Sequence, residues 1–338
     1  MIQFGGFCVI LLLEMWQRLI RFLRDWTLPV GMIAGAASYL ILSRIDALTP
    51  YKSELLRGVA IVQPFLIFCM LFLTFCRIRL SDFQWRRWYL PMLVFQTVGF
   101  VLCCLPVMSG NLSQESRLVA ECGMLCLICP TATAAAVVTR KLGGDMASVT
   151  SYTMLINIVA AVLFPAVVPL IHQGTDGGFV ANFIRILYHT FPMLILPMIA
   201  AGLLRRIWPS ATEWIAQWRD MPFYLWAVSL SLAIAVSVRS LVNSRCGMLC
   251  LAGIALCSLT ACAIQFAFGR WLGRREKKSD KSETVSATQA CGQKNTVLII
   301  WLGYTFLPPV TSLAGGFYCI WHNVYNSYQL YQQRKTSA

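Results

Sequence analysis

Charged residues are scarce in this chain: they make up 12% of its 338 residues, whereas hydrophobic residues make up 58%. A soluble domain carries roughly 25% charged residues, and the mean hydropathy here is +0.65. These values exclude an ordinary soluble globular protein. Apolar stretches of about 20 residues, the length of a bilayer-spanning helix, recur along the chain and leave no room for a soluble domain. The sequence predicts an all-α polytopic membrane protein.

Histidine is also scarce, with three scattered residues in the chain, which argues against a metal centre. Cys126 and Cys129 form a C-x-x-C, but no second pair or histidine cluster follows at zinc spacing. We therefore predict no metal and no cofactor, and no nucleophile–base pair indicates an enzyme. Most of the 14 cysteines lie in apolar stretches, where free cysteine behaves as a small hydrophobe; these include Cys69, Cys103, Cys104, Cys250, Cys257 and Cys262.

The apolar stretches predict about ten transmembrane helices. One hydrophilic stretch, 270–283, separates two of them and is predicted to be a flexible, exposed loop. In chain order the predicted spans are 27–45, 53–76, 88–109, 115–139, 146–171, 180–204, 221–242, 247–269, 284–306 and 307–331.

Basic residues are distributed unevenly between the two sides of such a topology. The side that carries both termini collects 20 Lys and Arg residues, the opposite side collects 7, and Lys294 is left over. By the positive-inside rule both termini are cytoplasmic, in a multi-pass protein of the cell (inner) membrane. The net charge of +14 is then explained by topology, so it does not call for a nucleic-acid partner.

The N-terminal segment, 1–26, does not have the pattern of a cleavable signal. Its apolar run, 7–13, has no basic residue before it, and three arginines follow it. Residues 8–24 alternate apolar and basic residues at helical spacing, which predicts a cytoplasmic or interfacial segment on the membrane surface. An additional short span is the alternative. The tail, 332–338, is predicted to be cytoplasmic.

Two of the predicted spans contain signals that interrupt a helix. The fourth has Pro130 at its middle, and proline removes a backbone donor and breaks a helix. The ninth is small and polar around Gly292 and becomes apolar only after Asn295. One interrupted span in each half is typical of transporters built from two inverted repeats. We therefore predict repeats of five helices over 27–171 and 172–331.

Lys294 is the only Lys, Arg, Asp or Glu between Glu283 and Arg334. An ionisable residue inside a span is a functional candidate, although a lysine near a span end can extend its amine to the interface. Glu121 is the only acidic residue in the fourth span and is the candidate partner of Lys294; the alternative is that it faces the outer interface. Asp145, after Gly144, is predicted to cap the helix of the fifth span.

The interrupted spans resemble motifs of the bile acid:sodium symporter (BASS) family. "CPTATAAAVVTRKLGGDMA" is similar to the family's fourth-span motif, roughly C-P-G-G-T-A-S-N-V-V-T followed by G-D-V-A. "CGQKNT" resembles the ninth-span motif E-V-G-M-Q-N-S, and "FYCIWHNVYNS" resembles the tenth-span run ending V-W-H-N-hydrophobic-S-G-S. The matching residues are Cys129, Pro130, Thr133, Ala134, Val137, Val138, Thr139, Gly144, Asp145, Ala147, Gly292, Asn295, Trp321, His322, Asn323 and Ser327.

The resemblance implies a panel domain of spans 1, 2, 6 and 7 and a core domain of spans 3–5 and 8–10, in which spans 4 and 9 cross beside two sodium sites. The sodium ligands are where this sequence departs from the family. The family's ligand positions fall on Ala135, Ala136, Val149, Ala290 and Lys294, of which none supplies a side-chain oxygen, and on Thr153 and, by a looser correspondence, Gln96.

Lys294 therefore occupies the place of the coupling cation. Its ammonium would hold the crossover together as a fixed charge, or would carry a proton, since burial disfavours the charged form of a lysine. The resemblance also places substrate-binding side chains on the interrupted helices and the tenth span. These candidates are Thr131, Thr133, Asn295, His322 and Asn323.

The resemblance predicts a secondary transporter that moves a small organic anion by alternating access, without the usual sodium coupling. One alternative keeps sodium coupling through backbone carbonyls, Thr153 and Gln96. Another is a membrane sensor or scaffold that has kept the fold and does not transport. The sequence selects neither a substrate nor an oligomeric state.

Overall fold

The computed structural model describes residues 27–78, 83, 85–172, 178–218, 220–244, 246–275 and 281–337. Helices dominate these residues, and two short 3-10 turns connect them. The helices are α1 (Thr27–Ser43), α2 (Lys52–Phe75), α3 (Tyr89–Met108), α4 (Gln114–Ile128), α5 (Thr133–Lys141), α6 (Met146–Ile171), α7 (Gly178–Leu194), α8 (Leu196–Ile207), α9 (Pro209–Ala216), α10 (Met221–Val242), α11 (Met248–Arg274), α12 (Lys281–Gly292), α13 (Thr296–Phe306) and α14 (Leu313–Ser337).

Five helices within the described ranges are long and apolar enough to cross a membrane: α2, α3, α6, α10 and α11. The pair α7 and α8, bent by 42° at its break, adds a sixth when counted as one span. The other predicted spans correspond to helices that are short, interrupted or polar, namely α1, the pairs α4–α5 and α12–α13, and α14. Length and composition therefore support a polytopic helical protein with five or six clear spans.

The two predicted interruptions are confirmed. The helix of the fourth span ends at Ile128 and resumes at Thr133, and that of the ninth ends at Gly292 and resumes at Thr296. Pro130 disfavours helical backbone in the residue before it, and that residue is extended, with φ −61° and ψ 134°.

The interruption after Gly292 has no proline, so its cause lies in packing. A Cβ added at Gly292 would lie 2.3 Å from the ring of Phe266 on α11. The helix can therefore end against this ring only because residue 292 lacks a side chain.

Several predictions about loops and ends were wrong or fall outside the described residues. The loop 270–283 is shorter than predicted, because α11 continues to Arg274 and α12 begins at Lys281. The tail was predicted only to be cytoplasmic, which stays a prediction; α14 extends into it as far as Ser337. Cys250 is not a free cysteine: it forms a disulfide with Cys246, which lies four residues earlier, before the start of α11. The surface segment 8–24 lies outside the described residues.

The predicted helix cap at Asp145 is confirmed. Its Oδ1 accepts a hydrogen bond from the backbone N–H of Ala147 at 2.9 Å, and its Oδ2 accepts one from Ser148 at 3.3 Å. Arg86 donates to Asp145 at 3.2 Å and to Glu283 at 2.8 Å. These ion pairs join the first turns of α6 and α12 to the segment before α3. They therefore stabilise the contact among these three elements.

Helices α11 and α12 pack backbone against backbone. A Cβ on Gly269 would lie 2.5 Å from the carbonyl oxygen of Ala287, and a Cβ on Gly273 would lie 2.6 Å from the Cα of Thr284. Small residues four apart are a common way for membrane helices to approach closely. This contact positions α12, and with it the second interruption, against the rest of the fold.

Substitution of Gly269 by alanine tests this close contact. We expect Gly269→Ala to lower the unfolding free energy by about 1–3 kcal/mol, because the new methyl group overpacks a backbone contact. Gly202→Ala on α8 is the matched control, since nothing lies within 4 Å of its added Cβ. Thermal unfolding of the purified protein measures both, and equal melting temperatures for the two variants would contradict the packing described here.

Candidate functional site

The two interruptions meet and pair through their backbones. Thr131 and Lys294 form an isolated antiparallel bridge. Ala132 N–H donates to the carbonyl of Gln293 at 2.8 Å, and Asn295 N–H donates to the carbonyl of Pro130 at 2.9 Å. We call residues 129–132 and 293–295 the crossover. The backbone N–H and C=O groups that lack helical partners at the two breaks form hydrogen bonds with each other here. Inside a membrane such groups have no water to bond, so they must be paired within the protein.

Side chains bond the carbonyl groups left over at the end of α12. Thr131 Oγ1 donates to the carbonyl of Ala290 at 2.6 Å, and Tyr318 Oη donates to that of Gly292 at 2.8 Å. The last carbonyls of a helix lack partners within the helix, so these bonds are what allows α12 to end inside the protein.

Four helices support these bonds through a buried network. Gln265 on α11 donates to the carbonyl of Cys126 and to Tyr318 Oη, both at 3.1 Å. Gln96 on α3 donates to Gln265 Oε1 at 3.5 Å and accepts a bond from Tyr152 on α6 at 2.8 Å. Gln96, predicted as a former sodium-site position, is therefore a member of the network that supports the crossover.

Lys294 lies in the crossover and is 0% exposed. Among the described residues its Nζ has no hydrogen-bond partner, and its ammonium does not reach the surface. The titratable groups near it are the thiols of Cys126, Cys129 and Cys291. Cys126 lies in the last turn of α4, Cys129 directly follows that helix, and Cys291 lies in the last turn of α12. The lysine therefore lies beside the carboxyl-terminal ends of two helices.

The predicted pairing of Glu121 with Lys294 is wrong. Glu121 is buried, and its Oε1 lies 3.0 Å from Nε of Arg117 and 3.1 Å from Nε2 of His172. Glu121 lies at the middle of α4, seven residues before the helix ends at Ile128, so its carboxylate is about two helical turns away from the crossover. Its two partners come from the preceding turn and from the end of α6.

The alanine and valine positions where the family has sodium ligands lie together in an apolar environment. Ala135, Ala136, Val149 and Ala290 belong to one cluster of buried hydrophobic residues, and each is at most 5% exposed. Thr153, which keeps a ligand-type side chain, donates its hydroxyl hydrogen to the carbonyl of Val149 in its own helix at 2.8 Å. Methyl groups therefore fill the volume that oxygen ligands would occupy.

The candidate substrate residues fall into two groups. Thr131 and Asn295 lie in the crossover, and Asn295 Oδ1 caps α13 by accepting from Leu298 N–H at 3.2 Å. Thr133 begins α5 and is half-buried. His322 and Asn323 lie on α14, one turn beyond Tyr318, and Asn323 donates to the carbonyl of Cys319 in its own helix at 2.7 Å.

Sequence reasoning missed several polar residues at the site. Tyr318 was not among the predicted site residues, but it is fully buried and bonds the crossover. Gln265 and Tyr152 were not predicted, nor was Gln63 on α2, whose amide donates to the carbonyl of Val297 at 3.5 Å. An amide side chain inside an apolar span is the signal that could have indicated Gln63 and Gln265.

Long apolar helices surround two interrupted helices, which cross and pair at their breaks. This arrangement defines a helical membrane transporter. A comparison with protein-family models matches residues 65–332 to the SBF-like CPA transporter family. This match covers most of the chain, so the protein belongs to that family, which is of the bile acid:sodium symporter type. It is an integral, multi-pass membrane protein of a secondary-transporter family. A comparison with curated proteins found no match.

The bond from Tyr318 to Gly292 provides a test of the crossover. We expect Tyr318→Phe to lower the unfolding free energy by about 1–3 kcal/mol, because it leaves a buried carbonyl without its donor. Tyr328→Phe is the control on the same helix, since Tyr328 is 58% exposed. Thermal unfolding measures both variants, and a Tyr318 variant as stable as the control would mean that the bond does not stabilise the crossover.

Proposed function

We propose that this protein moves a small organic anion by alternating access, without the family's usual sodium coupling, and that Lys294 takes the place of the sodium ion. The observation that carries the proposal is the position of Lys294. Its ammonium is fully buried at the crossover, beside former ligand positions that are now apolar.

Helix dipoles support an ammonium at this position. The carboxyl-terminal ends of α4 and α12 meet at the crossover, and the groups near Lys294 come from those ends. A helix carries a partial negative charge at its carboxyl-terminal end, which favours cations. The ammonium thus has the electrostatic surroundings that a bound sodium ion would need, without any carboxylate.

The same arrangement favours an anionic substrate. Helices α5 and α13 both begin at the crossover, so their partially positive ends point there. Interrupted helices of transporters use such ends to bind anionic groups of substrates. Thr131, Thr133 and Asn295 would contact the substrate at these helix starts, with His322 and Asn323 contributing from α14.

Sodium binding at the same place would be unfavourable. Sodium needs several oxygen ligands, whereas the apolar cluster around Ala135, Ala136, Val149 and Ala290 supplies methyl groups. Two like charges 4 Å apart cost about 4 kcal/mol at an effective dielectric constant of 20, so the ammonium of Lys294 would repel the ion. The alternative, a sodium site through Thr153 and Gln96, would have to compete with hydrogen bonds that both already make.

The proposal includes ten spans in two inverted repeats, with a panel domain that moves against the core domain. Both termini would be cytoplasmic, in the cell (inner) membrane, as the 20-to-7 distribution of basic residues suggests. The Cys246–Cys250 disulfide lies on the side predicted to be external. Disulfides persist in oxidising compartments, so its position agrees with this orientation.

Uptake into liposomes tests the proposal. Purified protein would be reconstituted, and entry of radiolabelled taurocholate and of a set of small mono- and dicarboxylates would be measured in sodium buffer and in potassium buffer. We expect at least one anion to enter at equal rates in both buffers. We expect Lys294→Gln to reduce that rate at least tenfold, because the charge at the crossover is lost.

Lys281→Gln is the matched control, because Lys281 is exposed at the start of α12; it should transport as the natural protein does. Uptake that requires sodium, or that survives Lys294→Gln, would contradict the role given to Lys294. A protein that moves none of these anions would favour the sensor or scaffold alternative.

A further inference from the structure

Several buried polar atoms without hydrogen-bond partners lie along the contact between α12 and α14 and in the adjoining crossover. We call this contact the α12–α14 seam, formed by Gln289, Tyr318, His322 and Asn326. Buried polar groups are almost always bonded to protein or to ordered water. Within the described residues, the unpartnered atoms of the seam and the adjoining crossover are Gln289 Oε1, Gln293 Oε1, Lys294 Nζ, His322 Nδ1 and Asn326 Nδ2, and each residue is at most 7% exposed.

The seam is continuous with the surface at its outer end. Gln289 Nε2 donates to Asn326 Oδ1 at 3.1 Å and to Gln329 Oε1 at 2.6 Å. Further out, Lys281 Nζ donates to Gln333 Oε1 at 3.0 Å, where the contact is exposed. Gln289 is fully buried and Gln329 is half-buried, so polar side chains follow one line from solution into the protein.

At its inner end the seam reaches Lys294. The ring of His322 lies 5.7 Å from that of Tyr318, and Tyr318 bonds the carbonyl of Gly292 beside the crossover. The thiols of Cys126 and Cys291 lie near both Tyr318 and Lys294. The two side chains thus share neighbours, and the line of polar groups ends at the ammonium.

The side chains that neighbouring helices place beside the seam are neutral. They are poorly suited to bond the unpartnered atoms of the seam in place of water. Gln265 on α11 has both amide hydrogens bonded, to Cys126 and Tyr318. In the part of the chain that the structure describes, no carboxylate interacts electrostatically with Lys294 or Tyr318. The titratable groups facing the line are Cys262 on α11, Cys126 and Cys129 at the end of α4, and Cys291 on α12.

We propose that the α12–α14 seam holds a file of water molecules that connects Lys294 to solution at the end of the fold where α14 ends, and that the lysine exchanges its proton along this file. The proposal rests on the proposed function in one respect, that Lys294 is the coupling group. Ordered water can bridge buried polar groups that do not bond each other directly, and the unpartnered atoms of the seam and the crossover include both amide oxygens and amide or ammonium nitrogens.

The exchange is a single proton transfer in each direction. The ammonium of Lys294 gives one proton to an adjacent water, the bonding pair stays on nitrogen as a neutral amine, and the proton passes through the file to solution. Recharging is the reverse transfer. Nothing is oxidised or reduced.

Radiolytic hydroxyl labelling followed by mass spectrometry tests the water file without any substrate. Radicals formed from bound water label the side chains that contact it. We expect His322 and Tyr318 in the intact protein to label at least tenfold faster than Met124, with each rate normalised to the unfolded chain. Met124 is the control because it is equally buried, at 0% exposure, within an apolar cluster. Labelling of His322 and Tyr318 as slow as that of Met124 would overturn the proposal.

Substitution in the seam gives a second test. Asn326→Leu puts an apolar side chain of similar volume into the seam, and we expect labelling of His322 to fall at least fivefold. Val324→Leu on the same helix is the control, since Val324 is 62% exposed, and it should leave that labelling unchanged. If Asn326→Leu does not fold, Asn326→Ala keeps the test: the enlarged seam should then increase the labelling. Unchanged labelling in a folded Asn326 variant would overturn the proposal.

The two proposals fail separately. A dry seam together with sodium-independent uptake would overturn the water file and leave the proposed function standing. A labelled seam together with sodium-dependent uptake would support the file and overturn the role of Lys294 as the coupling cation. If both the proposed function and the water file are correct, a pH gradient should drive uptake in the natural protein at least fivefold faster than in the Asn326→Leu variant.

Discussion

The antiparallel backbone pairing between residues 129–132 and 293–295 is the interaction on which the rest of this structure depends. It consists of two backbone hydrogen bonds, from Ala132 to Gln293 and from Asn295 to Pro130. Backbone polar groups cannot be left unpaired inside a membrane, so each interruption makes the other tolerable. The pairing fixes where four helices end or begin, and those helix ends determine the chemistry of the site.

The electrostatics of the crossover follow from that geometry. Two carboxyl-terminal helix ends attract a cation and two amino-terminal ends attract an anion, in one small region. A mobile sodium ion is one way to supply the cation, and a lysine attached to the chain is another. A fixed ammonium is present in every state of the transporter, so a coupling role would require that it lose and regain its proton. The polar seam beside α14 offers a route for that exchange.

The local features of the site could be predicted from the sequence. Pro130 predicted the first break, the isolation of Lys294 indicated an unusual position, and both ends of α6 coincide with the predicted span, 146–171. Each of these signals lies in a short stretch of chain. The confirmed cap at Asp145 is of the same kind, because a cap bonds residues two and three positions away.

The parts that sequence reasoning missed depend on partners distant in the chain. Gln265 and Tyr318 are separated by 53 residues, and Gln96 and Tyr152 by 56, so no local pattern reveals their bonds. Glu121 was assigned to Lys294 because both are charged and sit in apolar spans, whereas its partner His172 follows α6. The ten-span count could not be confirmed by length and composition because broken and polar helices lack the length or apolar character that identifies a span.

A comparison of thermal stability in NaCl and in KCl at constant ionic strength tests the central claim most directly. An ion that binds only the folded state stabilises it by about 2.7 kcal/mol at a hundred times its dissociation constant. We expect equal melting temperatures in the two salts for the natural protein. The double variant with Lys294→Gln and Ala290→Glu should gain a sodium-specific increase, because it restores the family's residues at these two positions. A natural protein that sodium already stabilises would contradict the account, since Lys294 would then not occupy the place of the ion.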